Sequence, residues 1–196
     1  MRGFTEIERE QIQSQLFDKG KELFSAHGLK KTSIKELTDS VGIAQGSFYL
    51  FFQSKEELYF RILEREEEAI KKSLLSELVL PMNAKHFKDF LLKGINLISV
   101  NPLIRRLYFE GELELLIRKL PEKIVEAHIK NDEDLLKPLL RSFGIGEGKE
   151  EQISGAIRGF FIMVLHKKEI GEATYDSAIE FLAEAISNQI FKDDKS

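Results

Sequence analysis

Apolar residues recur every three or four positions along almost the whole chain, a period that predicts helices rather than strands. Ile12, Leu16, Leu23 and Phe24, with Gly20 and His27 in the same row, paint one stripe between Thr5 and His27. Gly28 then supplies a left-handed stop. Ser33, with Glu36 three positions on, makes a capping box, and Ile34, Leu37 and Val41 give the next short helix its inner face. Gly42 ends it, and a third short helix is expected from about Ala44 to Phe51. Ser54 and Glu57 open a long helix through Leu58, Ile62, Ala69 and Leu74 to about Leu80, which Pro81 closes. Further helical stretches are expected at Asn83–Val100, Pro102–Glu110 and Leu113–Leu140, with Pro121 and Pro138 breaking or bending the last. A glycine loop, Phe143–Lys149, precedes two amphipathic helices, Glu150–Lys168 and Tyr175–Phe191. No alternating run demands a sheet, so the fold class is all-α.

The 196 residues are 42% hydrophobic and 32% charged, a balance that folds as a soluble globule. No cysteine is present, which excludes disulfides and thiolate chemistry and fits a reducing cytoplasm. No apolar run approaches the roughly 20 residues that span a bilayer, so no membrane partner is expected. No secretory leader is expected either. The net charge is −4, and through residue 60 eight Lys and Arg face nine Asp and Glu. Any binding to nucleic acid must therefore rest on local placement of cations such as Lys30, Lys31, Lys35 and Lys55.

Thr32–Phe52 has the layout of a helix-turn-helix: a capped helix, a glycine turn and a second short helix suited to a major groove. Phe48 and Phe52, four apart, can brace that second helix from behind, leaving Gln45, Ser47 and Tyr49 outward. Gly46 lets the backbone approach a phosphate closely. The stretch HGLKKTSIKELTDSVGIAQGSFYLFFQSKEELYFRIL, His27 to Leu63, resembles the TetR family of transcriptional regulators. It fixes about 20 positions in order and covers about the first third of the chain. The resemblance implies an N-terminal three-helix DNA-binding domain, residues 1–53. A long helix joins it to a helical ligand-binding and dimerisation domain, residues 54–196. It implies DNA contacts by Gln45, Gly46, Ser47 and Tyr49, by Thr32 and Ser33 at the preceding helix start, and by Lys55 as a phosphate clamp. Three positions depart from the family pattern. Gln45 stands where a cation is frequent, Phe51 where Tyr or His is, and Ala44 where Ser commonly caps.

In the remaining two thirds the resemblance implies a four-helix dimer interface built from the last two helices. Their stripes are Ile153, Ile157, Phe160, Phe161 and Val164, then Ile179, Leu182, Ile186 and Ile190. These stripes are broad enough to serve the chain's own core as well. Phe87, Phe90, Leu91, Ile95, Tyr108, Phe109 and Met163 are expected to line a pocket for a small apolar or aromatic effector, again as the family implies. His27, His86, His128 and His166 lack metal-ligand spacing. Asp132, Glu133 and Asp134 lack the glycine and closing glutamate of a calcium loop. The Gly144–Gly148 loop lacks the strand and Lys-Ser/Thr of a phosphate loop. No nucleophile–base pairing is legible, so neither enzyme activity, metal nor cofactor is expected. The expected function is that of a homodimeric repressor on a palindromic DNA operator, released by its effector. The alternative is an all-helical small-molecule-binding or adaptor protein whose head no longer binds DNA.

Overall fold

The computed structural model describes residues 4–109, 111–144, 148–164 and 166–191; the side chains of 108, 109, 125, 129 and 131–137 lie outside that description. The regular elements among the described residues are all helices, with no strand among them. The chain packs as two compact units, one from Met1–Ala69 with Asn101–Pro121, the other from Ile70–Val100 with Glu122–Ser196. These packing units are drawn differently from the expected division at residue 53, because the start of the long helix and the 101–121 segment pack with the head.

In the first unit, α1 (Glu6–Lys31) starts in a capping box: the Thr5 hydroxyl accepts the Glu8 N–H while the Glu8 carboxylate accepts the Thr5 N–H. Gly28 breaks the helix at φ 77°, the left-handed stop expected there, and one further turn follows before Thr32. The second helix, α2 (Ile34–Ser40), carries the predicted Ser33–Glu36 capping box. After Gly42 (φ 74°) comes a 3-10 helix, Gln45–Leu50, and then α3 (Lys55–Ser76). At the start of α3 the Ser54 hydroxyl accepts the Glu57 N–H, while the Glu57 carboxylate reaches past Ser54 to the Gln53 N–H. Leu16, Phe24, Leu29, Leu37, Phe48, Leu58 and Tyr59 are fully enclosed, so α1, α2, the 3-10 helix and the first half of α3 share one core. Two more helices, α5 (Pro102–Phe109) and α6 (Leu113–Lys119), complete the unit; α5 packs on α1, and the Tyr59 hydroxyl donates to the Leu103 carbonyl.

The second unit holds the end of α3, α4 (Ala84–Val100), α7 (Glu122–Ser142), α8 (Glu150–Val164), a single turn α9 (Lys167–Ile170) and α10 (Tyr175–Ile190). Pro121 separates α6 from α7, whereas Pro138 sits inside α7. Helices α4, α8 and α10 enclose a core of Phe87, Leu91, Ile153, Ile157, Phe160, Val164, Ile179 and Ala183. Gly94 on α4 allows close approach: a Cβ there would lie 3.2 Å from the Phe161 ring. Tyr175, buried at the start of α10, donates its hydroxyl to the Val164 carbonyl at 2.6 Å. No described helix is long and apolar enough to cross a membrane.

Candidate nucleic-acid interface

The 3-10 helix Gln45–Leu50 is braced from behind by rings. Phe48 is fully buried and lies 5.8 Å from Phe52, which meets Phe17 of α1 edge-on at 5.5 Å. With that side pinned, the opposite side of the 3-10 helix faces solvent. Gln45 and Gly46 are exposed, Ser47 is half-buried, and Tyr49 is 59% exposed, its ring standing edge-on to Phe48. A Cβ added at Gly46 would meet nothing within 4 Å among the described residues, so none of them requires glycine there. Ala44 precedes the helix without a side-chain cap, consistent with the missing serine. Leu50, also exposed, was not singled out in the sequence; no polar signal marks it, and only the short helix shows it facing outward.

The hydroxyls at the start of α2 divide. Ser33 is exposed, its N–H and hydroxyl both donating to the Glu36 carboxylate, at 2.7 and 2.8 Å. Those two bonds hold the Glu36 carboxyl below its ordinary pKa. Thr32 instead is buried, 1% exposed, with its hydroxyl donating to the Gly28 carbonyl at 2.8 Å. Its side chain is thus spent on ending α1, because the left-handed glycine turns it inward. The Lys55 ammonium donates to the Leu29 and Thr32 carbonyls, 2.7 Å each. In this geometry it fastens the end of α1, where orphan carbonyls and the negative helix end attract a cation. Lys30 and Lys31 are exposed, and Lys35 pairs with Asp39 at 2.6 Å.

The expected pocket and dimer residues sort differently in the second unit. Phe87 and Leu91 are buried in its core, with Phe90 and Ile95 packed against them. Met163 is 38% exposed, a correction to its expected place inside: it lies off the Ile157–Phe160–Val164 row and on the outer side of α8. The side chains of Tyr108 and Phe109 lie outside the described residues. Ile153, Ile157, Phe160, Val164 and Ile179, expected at a dimer face, are buried in the unit's own core, and Phe161, Leu182, Ile186 and Ile190 lean on it. The row that best satisfies the helical period is the one the chain keeps for itself. Outward on α8 lie Gly155, Ala156, Gly159, Ile162 and Met163; outward on α10 lie Phe181, 72% exposed, and Ala185. Among the described residues no group of three or more His, Cys, Asp and Glu is placed to hold a metal ion.

Residues 16–62 match the profile of the family described as bacterial regulatory proteins, tetR family. The chain is 27% identical over 149 residues to the fatty acid metabolism regulator protein of Bacillus subtilis strain 168, covering 71% of this chain and 74% of that one. Its fold is similar to a Mesorhizobium loti MAFF303099 protein assigned to the TetR-family transcriptional regulators. There the TM-score is 0.64 at 15% identity, covering 96% of this chain and 98% of that one. It is also similar to AibR, solved in complex with isovaleryl coenzyme A and operator DNA. For AibR the TM-score is 0.53 at 16% identity, covering 92% of this chain and 98% of that one. The helix-turn-helix head, residues 16–62, is thus that of the tetR family of bacterial regulatory proteins, and the all-helical fold of the chain is similar to that of solved structures assigned to this family.

Proposed function

We propose that the protein is a homodimeric repressor that binds a palindromic operator in the cytoplasm and leaves it when a small effector binds the second unit. The observation that carries the DNA-binding part is the outward row Gln45, Gly46, Ser47 and Tyr49 set over the buried Phe48–Phe52 brace. A glutamine offers the paired donor and acceptor that recognise adenine in a major groove. A tyrosine hydroxyl and a glycine-opened backbone suit phosphate. Ser33 contributes its exposed hydroxyl beside the positive end of α2. The third Lys55 N–H points to the Lys30 carbonyl at 3.5 Å, so Lys55 reaches a phosphate by giving up a carbonyl partner, and its first duty is to hold the joint that presents the reading segment.

The second copy is supported by the outer faces of α8 and α10, where Ile162, Met163 and Phe181 stand exposed beside small residues that let helices approach closely. Two-fold pairing through this face matches the half-sites of a palindrome, spaced by about 34 Å or its multiples. The effector is an apolar or aromatic small molecule held among Phe87, Phe90, Leu91 and Ile95. The name of the Bacillus subtilis relative favours an acyl chain within that class. Release follows if the effector favours a state in which α3, continuous from Lys55 to Ser76, has shifted.

Selection of bound fragments from random duplexes tests the reading. A recovered palindrome supports it; no enrichment removes DNA binding and leaves an all-helical ligand-binding or adaptor protein. Titrating the recovered complex with a medium-chain acyl coenzyme A then checks the effector class, with release expected. An aromatic phenol that releases the complex where the thioester does not would move the effector to the aromatic side.

A further inference from the structure

The break at Gly28 interrupts the main-chain ladder of α1, and its loose ends are taken up by residues 80 to 83 positions away. On the helix side of the break, the Arg106 guanidinium donates Nε–H to the Ser25 carbonyl at 3.0 Å and Nη2–H to the Ala26 carbonyl at 2.9 Å. On the far side, the Leu29 N–H donates to Glu112 Oε1 at 2.9 Å. Glu112 is buried, and its second oxygen, Oε2, has no hydrogen-bond partner among the described residues. A side chain at Gly28 would collide with the Glu112 carboxylate, so the glycine is required both by its positive φ and by the carboxylate pressed against it. Cation on the carbonyl end and carboxylate on the N–H end each match the sign of the partial charge exposed there.

We infer that Arg106 and Glu112 are positioning residues for operator binding: they set the angle of the Gly28 break and, through it, the pose of α2 and the 3-10 helix. The inference rests on the reading of the head as a DNA-binding element. Neither residue belongs to the outward row. They act on the Gly28 break, which lies between the body of α1 and the Thr32–Ser33 entry to α2. The segment that carries them, Asn101–Pro121, packs in the first unit yet is joined by the chain at both ends to the second. It is therefore, beside α3, a second covalent link between the joint and the helices of the other unit.

A buried carboxylate oxygen with no partner among the described residues is a costly feature to keep for stability alone; two variants separate the positioning role from plain packing. Glu112→Gln keeps an acceptor for the Leu29 N–H, whereas Glu112→Ala removes it. The experiment compares the affinity of wild-type protein and both variants for the selected operator and for a scrambled duplex, at one salt concentration, with helical content and melting followed alongside. The expected result for Glu112→Ala is at least a tenfold loss on the operator with the scrambled duplex unchanged, and for Glu112→Gln recovery to within about threefold of wild type. A ratio of specific to non-specific affinity that stays at the wild-type value in Glu112→Ala overturns the inference. Parallel loss on both duplexes overturns it too, since that is what loosening the whole head would give. If Glu112→Ala does not fold, Arg106→Lys reads the same ratio, keeping the charge while losing the two-pronged donation, and the same two outcomes decide. A wild-type protein that enriches no duplex removes the reading of the head, and this inference with it.

Discussion

Phe48 in the first unit and Phe181 in the second are both phenylalanines on short-period helical stretches, yet one is fully buried and the other 72% exposed. In the head, the enclosed apolar positions brace a segment whose outward residues are mostly polar, Leu50 excepted. In the body they have two uses, since α8 and α10 are apolar both on the side that fills the unit's own core and on the side left bare. Periodicity marks an apolar face without saying whether it belongs to the same chain or to a second copy. A polar residue held outward over a buried brace carries more information about function than an apolar stripe does.

The largest effect is expected where a core ring is truncated. Phe48→Ala and Phe160→Ala, both at fully enclosed positions, should each cost about 3–5 kcal/mol in chemical denaturation. Equal losses in the two units would sharpen the contrast by showing that Phe160 is core and not interface. The next effect is on assembly. Phe181→Glu should convert dimer to monomer in sedimentation at micromolar protein while leaving the denaturation midpoint of the monomer nearly intact; a dimer that survives would place the partner face elsewhere. Gly46→Ala should be silent in stability, within about 0.5 kcal/mol, because the added methyl meets nothing in the protein. The same substitution should weaken operator binding where the backbone lies against phosphate. The smallest effect concerns the α2 cap. The folded-state pKa of Glu36 is depressed, so its contribution is present above the ordinary carboxylate pKa and fades as pH falls through it toward the folded value. Glu36→Gln should flatten that part of the acid-stability curve, and an unchanged curve would assign the acid sensitivity to other carboxylates.

Much of the head was legible because its signals are local. Ser33 and Glu36 announce their cap by spacing alone, Gly28 and Gly42 announce left-handed turns, and the Phe48–Phe52 pair fixes which side of the third helix is inner. What escaped was set by distant contacts. Thr32 reads as an exposed hydroxyl in sequence, but the turn at Gly28 carries it inward. Lys55 reads as a free cation until the end of α1 is brought beside it. Arg106 and Glu112 stand in the apolar Leu103–Leu116 stretch like ordinary surface charges, and nothing nearby indicates that their partners lie at Ser25, Ala26 and Leu29. In the body the core row and the outer face of α8 share one period, so Ile153, Ile157 and Phe160 could not be separated from Ile162 and Met163 by pattern.

The claim that the outward row of the 3-10 helix reads DNA is tested most directly at Tyr49. Exposed over a braced core, it is removable without cost to the fold, so Tyr49→Ala should leave the melting transition unchanged while weakening the selected operator complex by tenfold or more at fixed salt. A variant that is equally stable and binds that operator as tightly as wild type would contradict the account.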